Sequence, residues 1–158
     1  MFAKRLIAAA ALIALTLLNG CNRGNTPGGM PPLVPCEILV QQDGKPLEHA
    51  KVSLIPNSGE WNAVGTTDAA GRAKVYTWGQ HAGAAEGTYK VVVSKVEMIP
   101  GPQQPPDSPI KSLDKSFRLV EEAFGDAETT PLTIDVKKGA KAYTVDAGKA
   151  IRELLPER

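Results

Sequence analysis

The heptapeptide Thr66–Arg72, TTDAAGR, stands between two segments in which apolar residues alternate with polar ones. Asp68 can accept hydrogen bonds from the backbone of its own turn, and Gly71 can adopt a positive φ without a steric penalty. Alternation with a period of two is typical of strands that have one buried face. The heptapeptide therefore predicts a hairpin corner within an all-β domain.

The same alternation recurs along the chain and predicts six or seven strands. The segments are 36–40, 51–55, 62–66, 72–77, 88–96, 131–137 and 141–147. Turn signals, such as Asp43-Gly44, separate these segments at close intervals. This pattern is typical of a two-sheet antiparallel sandwich, which we expect to form one modest core.

The remaining segments of the domain predict loops and short helices. Residues 78–86 are rich in Gly and Ala, and residues 99–110 contain five prolines, so both are expected to be loops. Apolar residues at roughly helical spacing in 113–124 predict a short helix, with a collapsed loop as the alternative. Ile151, Leu154 and Leu155 predict a short helical tail.

The N-terminus has the organisation of an export signal. Lys4 and Arg5 precede an uncharged, apolar run from Leu6 to Leu18. This run is shorter than the ~20 residues that a membrane-spanning helix requires. A basic start, a short apolar segment and small residues before a break are typical of a secretory signal peptide.

The four residues Leu18–Cys21, LNGC, resemble the lipobox of bacterial lipoproteins. The resemblance implies cleavage before Cys21, whose sulfur would carry a diacylglycerol group and hold the protein to a membrane. Asn22, where Asp would favour the inner membrane, favours the outer membrane of the envelope. We expect a signal peptide at 1–20, a lipidated flexible tether at 21–35, a β-sandwich at 36–147 and a tail at 148–158.

The composition argues against a nucleic-acid partner. Without Lys4 and Arg5 the formal charge changes from +1 to −1. Binding to nucleic acid needs a clustered basic excess, and the chain shows none. Aromatic residues make up 5% of the sequence, so few rings are present for stacking on bases or sugars.

No pattern of catalytic or metal-binding residues stands out. If Cys21 carries lipid, Cys36 has no disulfide partner, and its alternation with Ile38 and Val40 predicts a buried structural thiol. The alternative is a small hydrolase that uses Cys36 with His49 or His81 as the base. The two histidines lack metal-ligand spacing, so we expect no metal and no cofactor. Asp43 and Asp68 are expected to cap turns rather than to bind Ca²⁺.

Three aromatic residues are the candidates for ligand contact. Trp61, Trp78 and Tyr76 lie in or beside predicted loops, so they could form an exposed patch that stacks on carbohydrate. The alternative is that these rings pack against the edge of the sandwich.

Three motifs in order resemble the carboxypeptidase regulatory-like, or transthyretin-like, domains of many bacterial lipoproteins. They are Asp43–Leu47 with Ala50–Val52, Thr67–Arg72, and Gly87–Val91. A later stretch, Thr129–Thr133 with Val136 and Gly139, resembles the closing hairpin of planctomycete-type members. The resemblance spans residues 36 to 146. It implies an exported, prealbumin-like Greek-key sandwich of accessory role, and its motifs indicate fold rather than function.

The leading hypothesis is a lipid-anchored envelope protein whose non-catalytic β-sandwich serves binding or assembly. Its partners would be the membrane, through Cys21, and an envelope protein or glycan. One alternative is a carbohydrate-binding accessory module that uses Trp61 and Trp78. The other alternative is the hydrolase based on Cys36.

The anchor can be tested by replacing Cys21 with Ser. Because the hydroxyl cannot form the thioether, we expect the C21S protein to leave the membrane fraction and to appear among soluble proteins. The measurement is immunoblotting of fractionated cells, with C36S as the matched control. Continued membrane association of the C21S protein would reject the anchor.

Overall fold

The computed structural model describes residues 28–57, 59–102, 107 and 114–156. The regular secondary structure of these residues is almost entirely β, which confirms the predicted class. The strands are β1 (Leu33–Val34), β2 (Glu37–Gln42), β3 (Lys45–Pro46), β4 (Lys51–Pro56), β5 (Ala63–Thr66), β6 (Arg72–Lys74), β7 (Tyr76–Thr77), β8 (His81–Ala82), β9 (Ala84–Ala85), β10 (Gly87–Ser94), β11 (Val96–Ile99), β12 (Lys115–Arg118), β13 (Thr133–Val136), β14 (Ala142–Asp146) and β15 (Glu153–Leu154). No helix within these ranges is long and apolar enough to cross a membrane.

Two main sheets make up the sandwich. The first has the order β13-β10-β4-β5-β7-β8, and all its pairs are antiparallel. The second has the order β14-β2-β3, with β6 also paired to β2. Strands β2 and β14 run parallel, so the prediction of purely antiparallel sheets is wrong for this pair. Parallel neighbours need a long connection, and here most of the domain lies between the two strands.

The core lies between the two sheets. Alternate residues of β2, β4, β10, β13 and β14 are buried, as the period-two pattern predicts, and they form one hydrophobic cluster. Its fully buried large side chains include Ile38, Val40, Val52, Leu54, Val91 and Val93. Complete burial of each such side chain stabilises the folded protein by about 1.5–3 kcal/mol, so this cluster is the main source of stability.

The segment that follows the corner, Arg72–Thr77, pairs first with one sheet and then with the other. Ala63 and Val64 of β5 pair with Thr77 and Tyr76 of β7 in the first sheet. The preceding strand β6 pairs instead with β2 in the second sheet. The two strands therefore join the sheets covalently at one corner of the sandwich. A Cβ atom on Gly65 would lie 2.5 Å from the Lys74 carbonyl oxygen, so only glycine lets the strands pass this closely.

The predicted corner at Asp68–Gly71 is confirmed. One carboxylate oxygen of Asp68, Oδ1, accepts hydrogen bonds from the backbone N–H groups of Ala70 and Arg72, both at 2.9 Å. Gly71 has φ +73°, and its carbonyl accepts a 2.8 Å hydrogen bond from Val40 N–H. The corner is thereby attached to β2 of the second sheet.

Several segments that were predicted as irregular are short strands. Leu33 and Val34, at the end of the predicted tether, form β1 and pair with β9. Strands β8 and β9 lie within the predicted loop 78–86. Pairs of only two residues carry no readable alternation, so periodicity could not reveal them.

A third, three-stranded sheet of order β11-β12-β15 extends from β10. Within the predicted helix at 113–124, the described residues form β12 and a single 3-10 turn, Glu122–Phe124. The predicted helical tail is wrong, because Glu153–Leu154 pairs with β12 as β15. Arg118 supports this arrangement through ion pairs with Glu122 and Glu153 at 3.3 and 2.9 Å. Strand pairing and these ion pairs thus override a weak helical pattern.

A comparison of alanine substitutions at Gly71 and at Gly44 should distinguish the effect of a steric clash from that of backbone strain. A Cβ at Gly71 would lie 2.6 Å from the Val40 carbonyl oxygen, whereas a Cβ at Gly44, with a similar φ of +70°, meets open space. We expect the G44A substitution to lower the free energy of unfolding by about 1–2 kcal/mol. We expect G71A to lower it by roughly a further 1–3 kcal/mol. Urea denaturation measures both, and equal losses would contradict the packing described for the corner.

Candidate functional site

The structure brings together two of the three predicted aromatic residues. The rings of Trp61 and Trp78 lie against each other, with centroids 4.8 Å apart and planes inclined at 33°. The Trp78 indole N–H also donates a 3.2 Å hydrogen bond to the Glu60 carbonyl. About half of Trp78, 49%, remains exposed. The pair thus packs together at the surface and still presents ring area to solvent.

Trp78 occupies a backbone conformation that is unusual for its residue type. It lies in the turn between β7 and β8, where Trp78 and Gly79 have φ of +52° and +71°. The Gln80 N–H donates a 3.2 Å hydrogen bond to the Thr77 carbonyl. Two consecutive positive φ values are characteristic of a type I′ turn, which favours Asn or Gly at the first position. A bulky residue there costs about 1–3 kcal/mol and persists only where its surroundings hold it.

The contacts of the Trp78 ring are of the right size to offset this strain. Aromatic pairs contribute about 0.5–1.5 kcal/mol beyond the burial of area. A hydrogen bond such as that to Glu60 contributes about 1 kcal/mol. The Trp61 ring and the Glu60 carbonyl therefore fix the orientation of Trp78, and the two indoles form a preorganised aromatic surface. We call this surface the tryptophan pair.

Tyr76 belongs to a different feature, a cleft beside the strand that changes sheets. This cleft, the β6 cleft, has a volume of about 410 Å³. It is lined by Pro35, Cys36, Glu37, Lys74, Val75, Tyr76, Ala82, Gly83, Lys141 and Ala142. A neighbouring depression of about 520 Å³ shares Glu37, Lys74 and Tyr76 with it.

The walls of the β6 cleft are held by backbone hydrogen bonds. Val75 N–H donates to the Cys36 carbonyl at 3.2 Å, and Gly83 N–H donates to the Val75 carbonyl at 2.9 Å. Glu37 N–H donates to the Lys141 carbonyl at 2.9 Å. Four separated stretches of the chain are therefore fixed around one depression. No sequence motif joins these stretches, so the cleft was missed at the sequence level.

Charge is distributed unevenly around the cleft. Arg72 Nη1 lies 2.7 Å from Glu37 Oε1, so the single carboxylate of the lining is paired. Lys74 and Lys141 form no ion pair with the part of the chain that the structure describes. The cleft consequently carries an excess of positive charge beside an apolar lining.

Cys36 is buried, as predicted, and is 6% exposed. Burial raises the pKa of the Cys36 thiol to about 11. The neutral thiol therefore predominates near neutral pH, whereas a nucleophile needs the thiolate. Neither His49 nor His81 lines the cleft beside Cys36, so the structure does not bring a histidine base into that lining.

The other residues considered as metal ligands either accept backbone hydrogen bonds or lie exposed at the surface. Asp68 caps the corner through Oδ1, and Asp43 Oδ2 accepts a 2.9 Å hydrogen bond from Ala150 N–H. The side chain of His49 is 76% exposed at the surface. Across residues 28–57, 59–102, 107 and 114–156, no three His, Cys, Asp or Glu side chains cluster in a way that could hold a metal ion. Cys21 lies outside the described residues, as do the predicted signal peptide and the first part of the predicted tether, residues 21–27.

Comparison with known proteins returns no relative for this chain. No family model, no curated protein and no solved structure matches it significantly. The lipoprotein and transthyretin-like resemblances therefore stay predictions from the sequence.

The reactivity of Cys36 tests its buried state. In the chain carrying C21S, Cys36 is the one remaining cysteine. Because only the thiolate reacts, we expect slow alkylation by iodoacetamide at pH 8 and a rate that increases up to a pH of about 11. The measurement is mass spectrometry of timed samples, with the urea-unfolded chain as the fast-reacting control. Rapid alkylation of the folded chain with a plateau near pH 7 would instead support a catalytic thiol.

Proposed function

We propose that this protein is a lipid-anchored, non-catalytic binding module of the bacterial envelope. The N-terminal supports for the proposal are the basic start, the short apolar run and the lipobox-like LNGC ending at Cys21. The all-β domain that follows is consistent with the accessory sandwiches that the motifs resemble. Asn22 favours the outer membrane as the site of anchoring.

The observation that carries the binding role is the tryptophan pair. A sandwich that needed only a stable turn would place Asn or Gly where Trp78 stands, because those residues adopt positive φ at little cost. The chain instead keeps a strained, half-exposed indole and fixes it with Trp61 and the Glu60 carbonyl. Strained residues with exposed side chains are concentrated at functional sites. An aromatic surface of this kind suits the flat, weakly apolar face of a sugar ring, so a glycan is the ligand class that we favour.

An envelope protein is the second candidate partner of the sandwich. The observation in its favour is the sheet β11-β12-β15, which bears Val96, Met98, Ile99 and Leu154 with large exposed apolar side chains. Exposed apolar side chains grouped in one sheet are typical of surfaces that contact other proteins.

The hydrolase is not favoured by the geometry. Its nucleophile would be a neutral, buried thiol whose pKa is raised to about 11. The general base would have to come from the lining of the β6 cleft, which contains no histidine and whose one carboxylate, Glu37, is paired with Arg72. Activation of Cys36 would therefore require a rearrangement of the core.

A glycan panel tests the tryptophan pair. We expect intrinsic tryptophan fluorescence to be quenched by at least one class among soluble neutral, N-acetylated and uronic-acid oligosaccharides. Because stacking depends on the fixed ring, we expect W78A to weaken that binding by about tenfold, which corresponds to roughly 1.4 kcal/mol. Fluorescence titration gives the dissociation constants for the wild-type protein, and isothermal calorimetry gives them for both proteins.

Tyr76→Ala provides the matched control, since it removes an exposed ring that lies in the β6 cleft rather than in the tryptophan pair. We expect Y76A to retain the affinity of the wild-type protein for the same oligosaccharide. An absence of quenching and of heat across the whole panel would reject the glycan-binding role. Equal losses in W78A and Y76A would place the glycan elsewhere.

A further inference from the structure

We propose that the β6 cleft is a second binding site, which takes a small organic carboxylate with an apolar body. This site is separate from the tryptophan pair and does not rest on the proposed glycan-binding role. The inference depends on three properties of the cleft: its apolar lining, its uncompensated lysines and its fixed walls.

The lining of the cleft suits an apolar group. Six of the ten lining residues, namely Pro35, Cys36, Val75, Ala82, Gly83 and Ala142, have no charged or strongly polar side chain. Cys36, Val75 and Gly83 are buried residues of the fold, so this apolar surface lies recessed below the surrounding side chains. The volume of about 410 Å³ is within the range of about 300–1,000 Å³ that small-molecule sites occupy. The cleft therefore accommodates one aryl or branched alkyl group.

The charges around the cleft favour an anionic ligand over a cationic one. Glu37, the one carboxylate of the lining, already has a charged partner, because Arg72 Nη1 lies 2.7 Å from its Oε1. Lys74 and Lys141 both line the cleft and form no ion pair with the described residues. An arriving carboxylate would thus meet two free ammonium groups on flexible stems, whereas a cationic ligand would be repelled. Tyr76, which is 40% exposed, adds a ring and a hydroxyl donor at the same edge.

The cleft is preformed rather than dependent on the ligand. Gly83 has φ +101°, and a Cβ there would lie 2.3 Å from the Val34 carbonyl oxygen, so β1 packs directly against this glycine. Thr77 Oγ1 donates a 2.8 Å hydrogen bond to the Gly83 carbonyl from the buried side. The backbone on both sides is therefore fixed, and a ligand need not order it on binding.

Three matched probes test the site in residues 21–158 carrying C21S, which is the predicted mature chain without its lipid. They are 1-naphthoate, the neutral 1-naphthalenemethanol and the cationic 1-naphthylmethylammonium. Two-dimensional ¹H–¹⁵N NMR follows the amides of Ala82, Gly83 and Ala142, which line the cleft. We expect 1-naphthoate to shift these amides with a dissociation constant at least tenfold lower than that of the cation, and inorganic phosphate at the same concentration to leave them in place.

Variants distinguish recognition of the carboxylate by the lysines from recognition of the naphthyl group by the apolar lining. The double variant K74Q/K141Q should raise the dissociation constant of 1-naphthoate at least fivefold and leave that of 1-naphthalenemethanol unchanged. The double variant K45Q/K51Q, which removes two exposed lysines outside the lining, should bind like the parent chain. Ala142→Trp should fill the cleft and abolish binding of 1-naphthoate and of 1-naphthalenemethanol. Unchanged thermal unfolding establishes that each variant is folded, and the single variants K74Q and K141Q replace the double variant if it is not.

Several outcomes would overturn the proposal. Equal affinity for the anionic and cationic probes would remove the role of the lysines. Shifts caused equally by inorganic phosphate would remove the role of the apolar lining. Shifts that are absent from Ala82, Gly83 and Ala142, or that persist in A142W, would place the naphthyl group elsewhere. None of these results bears on quenching of the tryptophan pair by glycans, so the two sites can fail independently.

Discussion

The segment Arg72–Thr77 pairs with both sheets of the sandwich, and the rest of the structure depends on this pairing. Its first half is hydrogen-bonded to β2, and its second half is hydrogen-bonded to β5. Such a segment fixes the distance and angle between the sheets, because one continuous backbone belongs to both. Three glycine and aspartate positions make this possible: Gly65 allows the close crossing, while Asp68 and Gly71 direct the chain into it.

Both candidate sites lie along this same segment. Lys74, Val75 and Tyr76 of this segment line the β6 cleft, Lys74 and Tyr76 as exposed residues and Val75 as a buried one. The turn that holds Trp78 follows directly after it. The segment is rigid because it joins two sheets, and the same rigidity positions the side chains of the candidate sites. Cys36 lies at the point where cleft and core meet, and its raised pKa reflects membership of the core.

The parts of the fold that sequence could predict are those with strong local signals. Val91 and Val93 of β10, or Ile38 and Val40 of β2, alternate clearly with polar residues, and burial follows that alternation. The corner at Asp68 was equally predictable, because the side chain bonds to its own turn. Long-range pairing was not: β2 joins β14 in parallel across more than half of the domain, and β15 replaces a weak helical pattern. Such choices are decided by tertiary contacts that a local pattern does not contain.

The same distinction applies to the candidate sites. Exposure of Trp61 and Trp78 could be expected from their positions beside turn residues, but their contact across 17 residues of sequence could not. Tyr76 was grouped with them by proximity in sequence, but in the structure it lines the β6 cleft, whereas β7 ends at Thr77 and Trp78 lies in the following turn with a positive φ. The sequence contains no signal for the cleft beyond the alternation of exposed Lys74 and Tyr76 with buried Val75. The remaining lining residues come from distant segments of the chain.

The strained turn at Trp78 leaves stability nearly insensitive to the residue that forms the aromatic surface. A glycine or asparagine at this position would relax the backbone, but it would also remove the ring contact with Trp61 and the hydrogen bond to Glu60, which offset the strain. Libraries of this domain sorted by thermal resistance alone would therefore exert little selection for the indole and would retain molecules that have lost the aromatic surface. Engineering for durability should hold position 78 constant and seek its gains in the opposite sheet, away from this turn.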